Sequence, residues 1–418
     1  MANRNITCPT AERIFAQWEK EGRAERPRTY LGASSIGDPC EMKLWLMFRG
    51  AVRENFPGRM YRLFNRGQRE EVVFCDDLRR LGCEVKDRDE KTGQQFAVTT
   101  LGGHFAGHLD AIARGFVEAP KTWHVCEFKT HSDASFKKLC KDGVKVAKPN
   151  HYAQMTVYMG LTGLDRAFYM AVDKDNDDLW CERVEFSKTD FDAIMARAKH
   201  IIDTCEPERL ANRPDDYRCK GCACHSVCWH EAHEIVDPKI PLLCRTCCHA
   251  AAVTDGEGAR WECRLGKPCG VSLTCESHLI LPIFVDGEIV EGTSRSITYE
   301  KNGKKFTIGA GALSCAEAQK VGISELDEVL AIKDSVPGST VIAANTLEQK
   351  YAKRDCSVEY KGTVEGMKEW CASHPYADWS NPSITEEVRG VHFFDYNGYI
   401  LVAIDGDNAK VIIEDAPF

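Results

Sequence analysis

The chain has 418 residues, 43% hydrophobic and 28% charged, a composition that excludes a disordered or fibrous protein. Its formal net charge of −9 argues against a protein that coats nucleic acid indiscriminately, while leaving room for a local basic track inside an acidic shell. No run of about 18 apolar residues suggests a membrane span, and the amino terminus lacks the apolar core and cleavage site of a secretory signal, so a cytoplasmic chain is expected. In chain order, periodicity predicts helices over 10–24 and 34–48, the second opened by Ser34 or Ser35 as N-cap, and a longer helix over 57–80. Strand-like runs follow at 83–89, 94–103, 104–119 and 123–131, punctuated by Gly and Pro. Helices near 133–141 and 149–162, strands over 166–175 and 179–186, and a helix over 188–205 complete an α/β arrangement: a mixed sheet flanked by helices. From about 206 the pattern breaks into a Cys-rich stretch ending near His278. The last third opens on a hairpin whose Asn302-Gly303 is a tight-turn signal and closes on a hairpin-like pair of strands over 391–415. Three parts are expected: an α/β domain over 1–235, a Cys-rich zinc-binding region over 236–283 and a C-terminal α+β domain over 284–418.

The tract from Gly107 to Asp133 places Asp110, Glu127 and Lys129 on two otherwise apolar-patterned segments. Side chains two apart on a strand share a face, so Glu127 and Lys129 point together while Cys126 and Phe128 face a core. Largely buried charges must be paired or must hold a metal. If the strand of Asp110 pairs with that of Glu127, two carboxylates and a peptide carbonyl form an oxygen cage suited to Mg²⁺ or Mn²⁺, beside an ammonium. Gln154 and Tyr158, four apart on an expected helix, share a face that can turn toward it.

In this order, Asp110, Glu127-Phe128-Lys129 and Gln154-x3-Tyr158 resemble the PD-(D/E)xK nuclease superfamily, and within it the RecB-like exonuclease branch. The resemblance implies a PD-(D/E)xK core and a Mg- or Mn-dependent deoxyribonuclease, a phosphodiester hydrolase. Asp110 and Glu127 would hold the metal and Lys129 would assist the attacking water. Gln154 and Tyr158 would position the scissile strand or that water. The tract "FNRGQREEVVF" puts Glu71 in the acidic place of an early helix, supporting the site, and puts Glu70 where the branch commonly carries a His ligand. Such proteins serve DNA end processing, recombination and phage-type replication, so a phage-encoded origin is among the expected settings. With no Gly-x4-Gly-Lys-Ser/Thr motif, the chain would act on DNA ends or single strands, or rely on a helicase or a single-strand annealing or binding protein. Two other readings are a nucleic-acid-binding scaffold with a vestigial nuclease core and a site-specific endonuclease.

The chain carries 21 cysteines, crowded between Cys205 and Cys275, and in a reducing compartment such crowding reads as metal ligation. Cys219, Cys222 and Cys228 form a loop that can wrap one face of a cluster and needs a fourth ligand; Cys40, after Pro39, is the candidate. One early and three late cysteines resemble the iron–sulfur exonucleases of the same branch, CRISPR-associated members included, over residues 29–229. The resemblance implies a 4Fe-4S staple. Zinc also accepts four thiolates, and Cys224 offers an alternative triplet. Downstream, Cys244, Cys247, Cys263 and Cys275 suggest a structural, zinc-ribbon-like site, with Cys248, His249, Cys269 and His278 as reserve ligands.

Arg59, Arg62, Arg66 and Arg69 recur at steps of three and four, which lays one cationic stripe along a helix that could lead phosphates to the site. Lys137, Lys138, Lys141, Lys145 and Lys148 could line an opposite wall. His108, His124 and His131 are expected to pack or hydrogen-bond rather than ligate, and Tyr30 and Trp45 to serve in packing.

Overall fold

The structure is a computed structural model that describes residues 8–269, 275–327, 329–330, 356–374, 379, 384–388, 391–396, 400–405 and 407–414. It separates into two compact units, Met1–Glu231 with Lys239–Phe284, and Ala232–Pro238 with Val285–Phe418. The Cys-rich segment, expected to stand apart, belongs to the first unit. Arg245 Nη1 donates to the Phe48 carbonyl (3.0 Å), His104 Nε2 to the Arg260 carbonyl (2.8 Å) and the Ala259 amide to the Gly102 carbonyl (2.7 Å). Gly102, at φ 66°, admits this contact, since a Cβ there would lie 2.1 Å from the Val253 carbonyl oxygen.

The first unit opens with helices α1 (Pro9–Ala24), α2 (Glu41–Phe48) and α3 (Gly58–Arg80) and a short strand, β1 (Leu31–Gly32), between the first two. α1 and α3 cross closely at two glycines: a Cβ on Gly58 would lie 1.7 Å from the Phe15 carbonyl oxygen, and one on Gly22 would lie 2.4 Å from the Tyr61 ring. α2 begins at Glu41 with Cys40 as its N-cap, seven residues later than the earlier of the two serines expected to open it. Pro39 disfavours the α conformation at Asp38, and the segment before it closes into turns, with Ser35 Oγ donating to the Gly32 carbonyl (2.8 Å).

Strands β2 (Glu84–Lys86), β3 (Ala97–Thr100), β4 (Phe105–His108), β5 (Ala111–Arg114) and β6 (His124–His131) follow, then α4 (Asp133–Ala147) and α5 (Pro149–Thr162). Strands β7 (Arg166–Asp173) and β8 (Leu179–Glu185) and helix α6 (Lys188–Asp203) come next. The main sheet has the order β2-β5-β6-β7-β8, parallel only between β6 and β7. A second sheet, β1-β4-β3, lies beside it in the chain's path. The run 104–119, expected as one strand, is therefore two strands in two sheets, broken at Leu109-Asp110. α4 runs on past its expected end at 141 to Ala147, bent at Gly143, whose φ is 71°. The core between α3 and the main sheet joins Phe74 and Leu78 to Cys126, Phe128, Phe168 and Met170, with the Phe74 and Phe128 rings stacked at 5.1 Å. A short hairpin, β9 (Ala250–Ala252) with β10 (Trp261–Cys263), carries the Cys-rich segment.

In the second unit, β11 (Glu288–Gly292), β12 (Ser296–Lys301) and β13 (Lys304–Gly309) form a meander, and Asn302 and Gly303 take positive φ in the expected two-residue turn. The tract 391–415, expected as a pair of strands, forms three: Val391–Tyr396, Ile400–Asp405 and Asn408–Glu414. They join Cys356–Thr363 and Ile384–Val388 in a five-stranded antiparallel sheet, covered by the helix Val364–Ser373. In the register of the split, Asp405 pairs with Asn408 and Tyr396 with Ile400. Among the described residues no helix is long and apolar enough to cross a membrane.

Candidate active site

β5 and β6 pair with Ala111 opposite Cys126, so Asp110 stands one step on, across from Glu127. The Asp110 carboxylate replaces the next ladder bond: its Oδ2 accepts the Phe128 amide at 2.8 Å. That capture ends the strand and aims the carboxylate at β6. Glu127 is fully buried; Lys129, one step of two along the same face, donates from Nζ to Glu127 Oε1 and to the Phe128 carbonyl (3.1 Å). Lys129 Nζ also lies 3.9 Å from Asp110 Oδ2. Cys126 and Phe128 face the core, as the strand period requires.

α3 supplies the third carboxylate. Phe74, Cys75 and Leu78 are its buried stripe, and Glu71 lies one turn before Phe74 on that side. Burial, then the charge of Asp110, pushes the Glu71 carboxyl up to about 7 against Lys129 and Arg88. Burial, with Asp110 and Glu71, pushes Glu127 up to about 8 although Lys129 opposes it. Burial pulls the Lys129 ammonium down, but Glu127 and Asp110 outweigh it and hold the group above its ordinary value. The charges acting most strongly on Glu127 are thus Lys129, Asp110 and Glu71; Glu70 is not among them.

α5 brings Gln154 and Tyr158 to the same centre, with Gln154 Nε2 donating to the Tyr158 hydroxyl at 3.1 Å. Burial and the Glu127 charge raise the Tyr158 hydroxyl, keeping it protonated. Gly107 on β4 makes room for it: a Cβ there would fall 2.6 Å from the Tyr158 ring. A network that the sequence did not reveal lies on the next strand. Tyr169, the register partner of Glu127 on β7, has its hydroxyl 2.9 Å from both His131 Nε2 and His151 Nδ1. One hydroxyl proton cannot serve both rings, so the tyrosine donates to one imidazole and accepts from the other. The one sequence signal was a Tyr inside an apolar strand. His124 is buried against the Thr122 carbonyl and Arg183, and His108 is exposed.

As the side chains stand, no group of three or more His, Cys, Asp or Glu among the described residues is arranged to hold a metal ion. The acidic centre nevertheless fits a hard cation chemically. Glu127 Oε2 is buried and has no hydrogen-bond partner, and a buried carboxylate oxygen left so is costly. With the oxygens of Asp110 and Glu71 nearby, the donor set is the one Mg²⁺ or Mn²⁺ takes.

The cysteines gather in two groups. Cys40 acts electrostatically on Cys219 and Cys228, and Cys219 in turn on Cys228 and Cys222 on Cys219. The Cys224 thiol donates to Cys222, which with its neighbouring amide and Lys43 draws Cys222 down to about 6 despite burial. Downstream, Cys269 stands among Cys244, Cys263 and Cys247, and burial with these neighbours pushes its thiol up to about 12. Cys275, the expected fourth member, is exposed at the rim of the same small cavity, which Cys269, His249 and His278 also line. Spacing could not rank Cys269 against Cys275.

Arg59, Arg62, Arg66 and Arg69 are all exposed along α3, as the periodicity predicted. Of the lysines, Lys137 is paired with Asp133 and Lys145 with Asp190, while Lys148 donates to Ser135.

No family model and no curated protein matches the chain. Among solved structures it is similar to a protein designated SSO0001, at 13% identity over 54% of this chain and 98% of that one, with a TM-score of 0.34. It is similar to an alkaline exonuclease, LHK-Exo, from Laribacter hongkongensis at 17% identity, covering 44% and 90%, with a TM-score of 0.30. A phage related exonuclease from Haemophilus somnus gives 16% identity, 41% and 91% coverage and a TM-score of 0.28.

Proposed function

We propose that the chain is a divalent-metal-dependent deoxyribonuclease that hydrolyses phosphodiester bonds from DNA ends or in single strands. The observation that carries this reading is Glu127: a fully buried carboxylate with one unpartnered oxygen, facing Asp110, Glu71 and Lys129. Buried carboxylate oxygens are seldom left without a hydrogen-bond partner. Asp110, Glu127 and Glu71 would hold Mg²⁺ or Mn²⁺, which when bound lowers the pKa of water and neutralises charge on a phosphodiester. Lys129, kept protonated by its carboxylate neighbours, would steady the negative charge that builds on the attacked phosphate. The Tyr158 hydroxyl, held by Gln154, would donate to a phosphate oxygen and fix the strand's position. Glu70 is left a reserve ligand.

Cys40, Cys219, Cys222 and Cys228 would hold a 4Fe-4S cluster that ties the start of α2 to the end of the unit, and a structural zinc would sit on Cys244, Cys247, Cys263 and either Cys269 or Cys275. A helicase or single-strand-binding partner would supply unpaired substrate from duplex. The test is incubation of anaerobically purified protein with end-labelled single- and double-stranded DNA, with and without Mn²⁺. Release of labelled nucleotides that needs Mn²⁺ and vanishes in Lys129→Ala supports the reading; Mn²⁺-independent release, or release untouched by Lys129→Ala, removes it. Metal analysis of the same sample separates iron from zinc.

A further inference from the structure

Two cavities in the first unit meet at shared walls. The larger, about 630 Å³, lies among α1, the 26–32 segment, α2 and the first half of α3, and presents Trp18, Tyr30, Phe56, Tyr61 and Phe64. The smaller, about 140 Å³, is lined by Gln154, Tyr158, Gly107 and His108. Arg28, Tyr30 and Gly32 line both, so one trough runs from the aromatic chamber to the Gln154–Tyr158 pair.

The charges around this trough are unevenly satisfied. Arg26, Arg28 and Arg53 on its walls form no ion pair among the described residues, although Arg53 Nη2 donates to the carbonyls of Gly22 (3.2 Å) and Glu25 (2.6 Å), and Arg59, Arg62, Arg66 and Arg69 lie on another face of α3 than Tyr61, Phe64, Asn65 and Gln68, which line the chamber. At the other end of the same helix Arg79 pairs with Asp76 and Asp87, and Arg80 with Asp77. Glu21, Glu25 and Glu54 also line the chamber, but Glu54 is paired with Lys43 (3.6 Å) and Glu21 accepts from Gln17 (2.6 Å). Among the described residues, Arg28 donates to Ser34 Oγ at 3.4 Å.

We propose that this trough seats an unpaired strand of nucleic acid, with one base in the aromatic chamber and its phosphates passing Arg26 and Arg28 toward Gln154 and Tyr158. This rests on the nuclease reading above and names its substrate class. Successive aromatic faces with cationic neighbours are what single strands require, since every base has a π-face to stack. The chamber has the volume of a small-ligand pocket, roughly 300–1,000 Å³, and a paired base inside a duplex cannot enter it. Phe64 is 43% exposed, so its ring is offered to a ligand more than to the core. Phe56, Tyr61 and Phe64 hold one another edge to face, with centroids 5.1–6.2 Å apart, and so keep the wall in place without a ligand.

The test uses the full-length protein without divalent cation and a fluorescein-labelled oligothymidylate, read by anisotropy. Phe64→Ala is expected to weaken binding about five- to a hundredfold, the range of one base–aromatic stack, and Phe64→Trp to restore it; Arg28→Ala is expected to weaken it and to flatten its salt dependence. The matched duplex should bind weakly and respond to neither variant. An oligouridylate arm separates sources: loss in both arms assigns the trough to nucleic acid in general, and loss for oligothymidylate alone assigns it to DNA. Unchanged affinity in Phe64→Ala and Arg28→Ala, with their melting temperatures intact, overturns the proposal, as does equal loss for the duplex. Cleavage with Mn²⁺ reads the other claim separately. If the trough variants lose binding but the wild type cuts nothing, the trough stands and the nuclease reading falls. If cutting proceeds and both variants bind and cut single strands like wild type, the reverse holds.

Discussion

Glu127 sits at the centre of the account because it is fully buried on an interior strand, β6, which pairs with both β5 and β7. Glu127→Gln keeps the shape and removes the charge. Cleavage is expected to fall about a hundredfold or more, with oligonucleotide affinity preserved; equal turnover would remove Glu127 from the reaction. Gly107→Ala acts at one remove, since its Cβ would strike the Tyr158 ring. Overpacking of this kind costs about 1–3 kcal/mol, and the expected readout is a lower melting temperature together with reduced cleavage. The Tyr169 network makes a pH prediction. Burial holds His131 down to about 4 and His151 down to about 2, against an ordinary value of 6.5. Both stay neutral in the folded chain while the unfolded rings protonate, so the stability they contribute is whole above pH 6.5 and is lost as pH falls through that value toward their folded ones. The urea midpoint should therefore drop between pH 7 and pH 5, and drop less in His151→Gln; parallel profiles would contradict the network's role. At this scale the sequence carried Asp110, Glu127, Lys129, Gln154 and Tyr158 through fixed local spacing. It could not carry Tyr169, because which residue stands opposite Glu127 depends on register between strands 42 positions apart.

Elements were legible where local chemistry decides them. The period of α3 placed its arginine stripe, and Asn302-Gly303 placed its turn. They were misread where tertiary contact decides. The 104–119 run alternates like one strand, but β4 pairs with β1 and β3 while β5 pairs with β2 and β6, and Asp110 at the break accepts the Phe128 amide. α2 begins at Glu41, after its N-cap Cys40, because Pro39 and the turns before it disfavour an earlier start, and it is capped at its end by Arg49. That side chain is buried between the rings of Trp45 and Trp261, 5.2 and 5.0 Å from their centroids, and donates to the carbonyls of Thr204 (3.1 Å) and Arg245 (3.3 Å). Arg49→Ala strands the Arg245 carbonyl, at about 1–3 kcal/mol, while Trp45 Nε1 still donates to the Thr204 carbonyl (2.8 Å), and loosens the Cys-rich segment from α2. Limited proteolysis should then cut first within 240–269; a cleavage pattern like that of wild type would show that Arg49 is not the anchor.

For the whole molecule, two features of the Cys-rich segment separate sequence from structure. Its crowding announced metal ligation, yet its membership in the first unit rests on long-range bonds such as Arg245 to Phe48 that no local pattern encodes. The second unit likewise showed its hairpins in sequence, while the order of its five-stranded sheet, with Cys356–Thr363 beside the last strand, is a matter of chain topology. Bound metal in either Cys group would be folding free energy, so prolonged chelation should lower the melting temperature of the first unit and leave that of the second in place. The acidic centre can be tested apart from both thiol groups, because Mn²⁺ prefers oxygen ligands. The most direct measurement is a Mn²⁺ titration of the metal-free chain by electron paramagnetic resonance, comparing wild type with Glu127→Gln and Asp110→Asn. Saturable binding in the wild type that is weakened in both variants is the predicted result; wild type and variants that bind alike, or a wild type that takes up no Mn²⁺, would contradict the account.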